Sequence, residues 1–167
     1  REMAFANRTE THFGITSVFK NNKLMRREFD EEHQLHGHLH YFENGRLARI
    51  EFSPKHKDYR EIRFYEEDKL VRCEFAAGHE DHGEIRYIEN GEWVRSEFAE
   101  GHEDHGEIRF IEDGEWVRSE FAEGHPLHGE ICFYDESEGG EWVRSEFAKW
   151  HSCHGEIRYM DKGKHVR

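Results

Sequence analysis

The sequence predicts an all-β protein: tandem β-hairpin repeats, about seven 23-residue units, forming an elongated, twisted antiparallel meander sheet. Three observations predict it. The chain repeats itself at a fixed period, apolar and polar residues alternate with a period of two inside each repeat, and the alternating runs are joined by Asn-Gly or Asp-Gly.

Taken in order, residues 5–27 form a degenerate first copy, in which Gly14, Phe19 and Leu24 fall in register with Gly37, Phe42 and Leu47. Units 28–50 and 51–73 keep the period with weaker identity. Units 74–96 (EFAAGHEDHGEIRYIENGEWVRS) and 97–119 (EFAEGHEDHGEIRFIEDGEWVRS) are nearly the same sequence. Unit 120–145 carries three extra residues in its turn, and 146–167 is a last copy one residue short. All seven are expected to make one domain spanning 1–167.

Within a unit, Ile85 and Tyr87 alternate with Glu84, Arg86 and Ile88, and the return run is Trp93 to Phe98. Asn90-Gly91 between them is a strong hairpin signal, because a two-residue turn needs positive φ at both central positions. A plain two-residue loop places Tyr87 opposite Val94 and Ile85 opposite Ser96. One face is then apolar (Ile85, Tyr87, Val94, Ser96, Phe98), and the other carries Glu84, Arg86, Arg95 and Glu97 with Ile88 and Trp93. Like charges would face each other across the hairpin, which is mildly unfavourable. Opposite charges on the next hairpin or a shifted turn must relieve this. Phe29, Phe52, Phe75, Phe98, Phe121 and Phe147 should line one side, each contributing about 1.5–3 kcal/mol on burial. Roughly 14 strands at about 4.8 Å spacing would extend about 65 Å. Isolated units should not fold, and open edges invite twist, curling or pairing of faces between two molecules.

Composition fits a repeat better than a globule. Only 35% of residues are hydrophobic against 37% charged, a balance that usually means disorder, yet aromatics reach 14% and recur in register. The net charge of −13 argues against sequence-independent binding to nucleic acid or anionic lipid. No apolar run is long enough for direct membrane insertion. Cys73, Cys132 and Cys153, odd in number and irregularly placed, are expected to be reduced thiols of an intracellular, cytoplasmic protein. No signal peptide is visible, and the start at Arg1 and stop at Val166-Arg167, inside a repeat, read as a piece of a longer protein.

HGEIRYIENGEWVRSEF and HGHLHYFENGRLARIEF resemble the MORN repeat, a hairpin unit of similar length with an HG…NG…[FW] skeleton, and more closely its variant in bacterial antitoxin-like proteins. The resemblance covers nearly the whole chain. It rests on Gly37, Gly83, Gly106, Gly129 and Gly155, on the Asn/Asp-Gly turns and on the aromatic positions. It implies the hairpin fold, and functions of scaffolding, membrane-proximal assembly, dimerisation or toxin neutralisation. The chain departs from the skeleton where Val94-x-Ser96 replaces Tyr-x-Gly, and in having a first His in each loop. Ser96, Ser119 and Ser145 therefore look like small-residue packing positions.

Two constellations could carry function. His-x-x-His recurs in the loop joining hairpins, as His33/His36, His79/His82, His102/His105, His125/His128 and His151/His154, while His56 stands with Tyr59. Imidazoles at this spacing can share a zinc or another divalent transition-metal ion with nearby Glu80, Asp81, Glu103 or Asp104. The competing reading is that they order the turn. The 15 His also suggest charge that titrates near neutral pH and loops strained by acid. Trp93/Arg95, Trp116/Arg118 and Trp142/Arg144 form the second set, an aromatic-arginine stripe of the kind enriched at protein interfaces or a packed cross-strand row. Trp150 stands alone and should cap the final loop.

There is no nucleophile-base pair, phosphate-cradling loop or dinucleotide fingerprint, and near-identical repeats supply no unique pocket. The expectation is a non-enzymatic scaffold or protein-binding module using an extended sheet surface for a basic partner protein or for self-association. The rivals are a metal-binding protein or metalloenzyme built on the His loops and an antitoxin-type neutralising protein.

Overall fold

A computed structural model describes residues 7–135, 140–161 and 164–166. Among these the regular elements are all β-strands: β1 (Arg8–His12), β2 (Ile15–Lys20), β3 (Lys23–Phe29), β4 (His38–Glu43), β5 (Arg46–Phe52), β6 (Glu61–Glu66), β7 (Lys69–Phe75), β8 (Glu84–Glu89), β9 (Glu92–Phe98), β10 (Glu107–Glu112), β11 (Glu115–Phe121), β12 (Glu130–Asp135), β13 (Glu141–Phe147), β14 (Arg158–Asp161) and β15 (Lys164–Val166). The chain divides into two compact units, one up to His82 and one from Gly83, with the boundary inside the 74–96 repeat. In the first, β1 to β7 pair antiparallel in chain order. In the second, β8 to β15 do the same. The all-β hairpin meander is therefore present in each unit as an open sheet, and β1 adds a strand to the expected number.

The turns explain the pairing. Asn44, Asn90 and Asp113 hold φ of 50–53° and the glycines after them 80–86°, the consecutive left-handed pair that matches strand twist in a two-residue hairpin. Asn21-Asn22 and Glu67-Asp68 take the same conformation without glycine. Glu89 faces Glu92 and Ile88 faces Trp93 across the Asn90-Gly91 turn, as a two-residue loop requires.

Beyond that point the register shifts. Tyr87 faces Arg95, Arg86 faces Ser96, Ile85 faces Glu97 and Glu84 faces Phe98, so Val94 is an extra, bulged residue. The same bulge interrupts the pairing of the other five long hairpins. This corrects the face assignment made from alternation. A one-residue slip moves side chains to the opposite face, and here only the return strand's tip slips. One face of the hairpin therefore carries Glu84, Arg86, Ile88, Trp93, Ser96 and Phe98; the other carries Ile85, Tyr87, Arg95 and Glu97. The bulge also removes the expected opposition of like charges, because the arginines now face Ser96 and Tyr87.

The phenylalanine row lies on the first face. Phe52, Phe75, Phe98 and Phe147 keep 5–8% of their surface exposed. The face is not purely apolar. Arg109 lies between the rings of Phe98 (4.6 Å) and Trp116 (4.4 Å), and Arg63 and Arg158 lie over Phe52 and Phe147. A guanidinium on an aromatic face contributes about 0.5–2 kcal/mol and fills the gap between successive rings.

Candidate protein-binding surface

Beneath the Arg109–Trp116 stack is a buried polar network. Ser119, with no exposed surface, donates its hydroxyl proton to Glu107 Oε1 (2.6 Å), and accepts from Trp116 Nε1 (3.0 Å). Arg109 Nη2 donates to Glu107 Oε2 (3.1 Å) and to Asp104 Oδ2 (2.8 Å). Burial works against the Arg109 charge, but these carboxylates outweigh it and raise its pKa. Trp93, Ser96 and Glu84 repeat the Trp–Ser–Glu chain, and Trp142 Nε1 bonds Ser145. Ser96 and Ser119 are thus relays between an indole and a carboxylate, and small size is only part of their role.

The expected Trp/Arg stripe is split by the bulge. Trp93, Trp116 and Trp142 point to the phenylalanine face, where each indole also bonds the carbonyl of Arg95, Arg118 or Arg144. The arginine side chains lie on the opposite face. Arg95 covers Tyr87 at 4.2 Å, Arg118 covers Phe110 at 4.1 Å and Arg144 covers Phe133 at 4.3 Å, each beside a glutamate two residues on. Arg49 on Tyr41 and Arg72 on Phe64 continue the pattern in the first unit. Such half-exposed pairs contribute about 0–1 kcal/mol each, and their charge protects the sheet from edge and face aggregation.

The histidines of each loop stack on and hydrogen-bond to their own repeat. The first His of each loop (His33, His56, His79, His102, His125, His151) stacks on the Phe four residues earlier, with ring centroids 4.6–4.9 Å apart. Its Nδ1 accepts the backbone N–H two residues on at 3.0–3.1 Å. The second His (His36, His82, His105, His128, His154) donates from Nδ1 to the carbonyl of that same Phe at 2.8–3.3 Å. The two rings of a pair therefore hold opposite tautomers. Gly83 explains the neighbouring glycine: at φ 92°, an added Cβ would stand 2.9 Å from the His102 ring of the next loop. Trp150 packs at 4.6 Å on His128 of the preceding loop and is otherwise exposed.

Both Nδ1 atoms of each pair are committed to the backbone, which leaves only the Nε2 atoms to meet an ion. Among the described residues no group of three or more His, Cys, Asp and Glu comes together as ligands, whereas a stable zinc site wants three or four. Cys73 and Cys132 are buried and Cys153 partly so, and none of the three is in a disulfide. Burial pushes the Cys132 pKa up to about 12, so it stays a thiol.

The bulge has one more effect, at the hairpin tips. Six residue pairs join β10 to β11, but only Glu97–Ile108, Ser96–Arg109 and Arg95–Phe110 join β9 to β10. The tips therefore part, leaving a groove of about 670 Å³ between them, lined by Glu92, Trp93, Val94, Ile111, Glu112 and Asp113. Its three carboxylates are exposed while Ile111 is buried. In the first unit another space, of about 380 Å³, is bounded by Met25, Tyr41, Ala48, Phe64 and Val71 with Arg49, Arg72, Glu43 and Glu66. No helix among the described residues is long and apolar enough to cross a membrane. No protein-family model matches the chain, and no curated protein matches it.

Proposed function

We propose that the chain is a repeat scaffold that binds a partner protein, and that the partner presents a lysine- or arginine-rich segment to the grooves between hairpin tips. The observation that carries this reading is the groove of the second unit, with Trp93, Val94 and Ile111 beside the exposed carboxylates of Glu92, Glu112 and Asp113. A long basic side chain has an apolar stem and a charged head. The stem can lie along the indole and aliphatic groups while the head meets the carboxylates.

The net charge of −13 favours the encounter by drawing a basic partner toward the surface. The likeness to MORN repeats agrees with a scaffold, and toxin neutralisation, which the likeness also implies, is one form such binding takes. Repetition of one hairpin design suits binding along an array better than chemistry in a unique pocket.

A fluorescent peptide of alternating lysine and leucine, followed by anisotropy at low and high salt, tests the reading. Binding that weakens with salt, and by about tenfold in Glu92→Gln/Glu112→Gln/Asp113→Asn, is expected. No binding, or binding indifferent to the triple variant, would overturn it.

A further inference from the structure

We propose that His40 is an acid-sensitive joint of the first unit, and that protonating its imidazole loosens the β4–β5 hairpin selectively. The proposal stands on a substitution inside the repeat. His40 faces Ile50 across the hairpin, the register position at which Arg63 faces Cys73, Arg86 faces Ser96 and Arg109 faces Ser119. His38 likewise faces Phe52 where Glu61, Glu84 and Glu107 face their phenylalanines. The paired Glu and Arg of three repeats are thus two imidazoles here, and no carboxylate on this strand's face balances a charge.

The surroundings oppose an imidazolium. His40 Nε2 is buried without a hydrogen-bond partner among the described residues, as is His38 Nδ1. The His40 ring meets Phe29 edge-on at 4.8 Å and His38 at 5.7 Å. From β3 the residue opposite is Arg27, and from β5 it is the buried Ile50. Beyond His38 lie the His56 ring at 4.9 Å and Arg63, while Asp58, the nearby carboxylate, is already bonded to Arg63 at 3.0 Å. His33 of the preceding loop stacks on the other side of the cluster, on Phe29.

Burial first, then the charges of His38 and Arg27, hold the His40 pKa down at about 4, against 6.5 for the free side chain. The opened strand therefore binds a proton between those values and the closed strand does not. Closure is fully favoured above 6.5 and is lost progressively as pH falls toward 4. The second unit has no counterpart. At the same register its residues are Arg86, Arg109 and Cys132, and the Cys132 thiol stays neutral throughout this range.

Amide hydrogen exchange on the whole chain at pH 7.5 and 5.0, expressed as protection factors, tests the inference. Protection in β4 and β5 should fall by about tenfold or more relative to β10 and β11. An equal change in both hairpins, or none in β4–β5, would overturn the proposal. In the same wild-type protein the His40 ring proton, followed by NMR, should titrate well below 6.5; a midpoint at or above 6.5 would overturn it independently. His40→Gln, which cannot titrate, should diminish the differential loss, leaving the share of His38, whose pKa burial and His56 also lower; an undiminished loss in that variant would overturn the assignment to His40.

Discussion

The two units share a backbone, and a hairpin from each differs in what it buries. Each has the left-handed two-residue turn, the bulge that follows it, and the Phe–His stack at the loop. In the second unit the space beneath the tip holds Trp116, Ser119, Glu107 and Arg109, fully connected by hydrogen bonds. In the first, the hairpin of β4 and β5 fills the same positions with Leu47, Ile50, His38 and His40, of which Ile50 is 7% exposed. The difference teaches that turn, bulge and phenylalanine define the repeat, while the interior accepts either a Trp–Ser–Glu–Arg network or a filling of Leu, Ile and His. A polar group left alone there costs its desolvation, as at His38 Nδ1 and His40 Nε2, which are buried without a hydrogen-bond partner among the described residues.

The largest test of that statement is Glu107→Ala. It leaves Arg109 and the Ser119 hydroxyl short of their carboxylate, and should cost about 3–4 kcal/mol in urea denaturation. His38→Ala at the same position of the first unit should cost about 1 kcal/mol, since no network depends on it. A similar loss in both would refute the distinction. Ile50→Ser plants a hydroxyl where no carboxylate or indole waits for it, and about 2–3 kcal/mol should be lost. If it is neutral, the two fillings are interchangeable piece by piece. Gly83→Ala and Gly37→Ala strike the shared part of the design, positive φ beneath the next loop's histidine, and should cost about 1–2 kcal/mol each, alike in the two units. The smallest effects belong to the opposite face: Arg118→Ala and Arg49→Ala should each cost less than about 1 kcal/mol, because both arginines are 37–39% exposed.

Much of this was legible in the sequence, for identifiable reasons. Period-two alternation and Asn90-Gly91 fix a hairpin locally, and seven imperfect copies leave no other fold class. The bulge at Val94 was not legible from one copy, because alternation continues unbroken through it. The opposition of like charges was the only warning, and its relief came from a slip just beyond the turn. That slip is why Trp93 and Arg95, two residues apart, do not share a face. The buried network had a signal in the repeats themselves. Where the return strand begins with Trp93, Trp116 or Trp142, the third residue on is Ser; where it begins with Leu47 or Leu70, it is Ile50 or Cys73. Such paired change reports contact, here the indole N–H on the serine hydroxyl. His-x-x-His spacing gave no sign of the Phe stack or the backbone bonds of the loop, since spacing says nothing about which ring nitrogen the backbone has taken.

The uneven stitching of the sheet carries a mechanical consequence. Six residue pairs hold β8 to β9, and three hold β9 to β10. Under tension along the chain the short seams should tear first, releasing whole ribbons in succession. Each event would lengthen the tether by about 23 residues, on the order of 80 Å of extended polypeptide, so a force–extension trace of this protein should be a staircase whose step is the repeat.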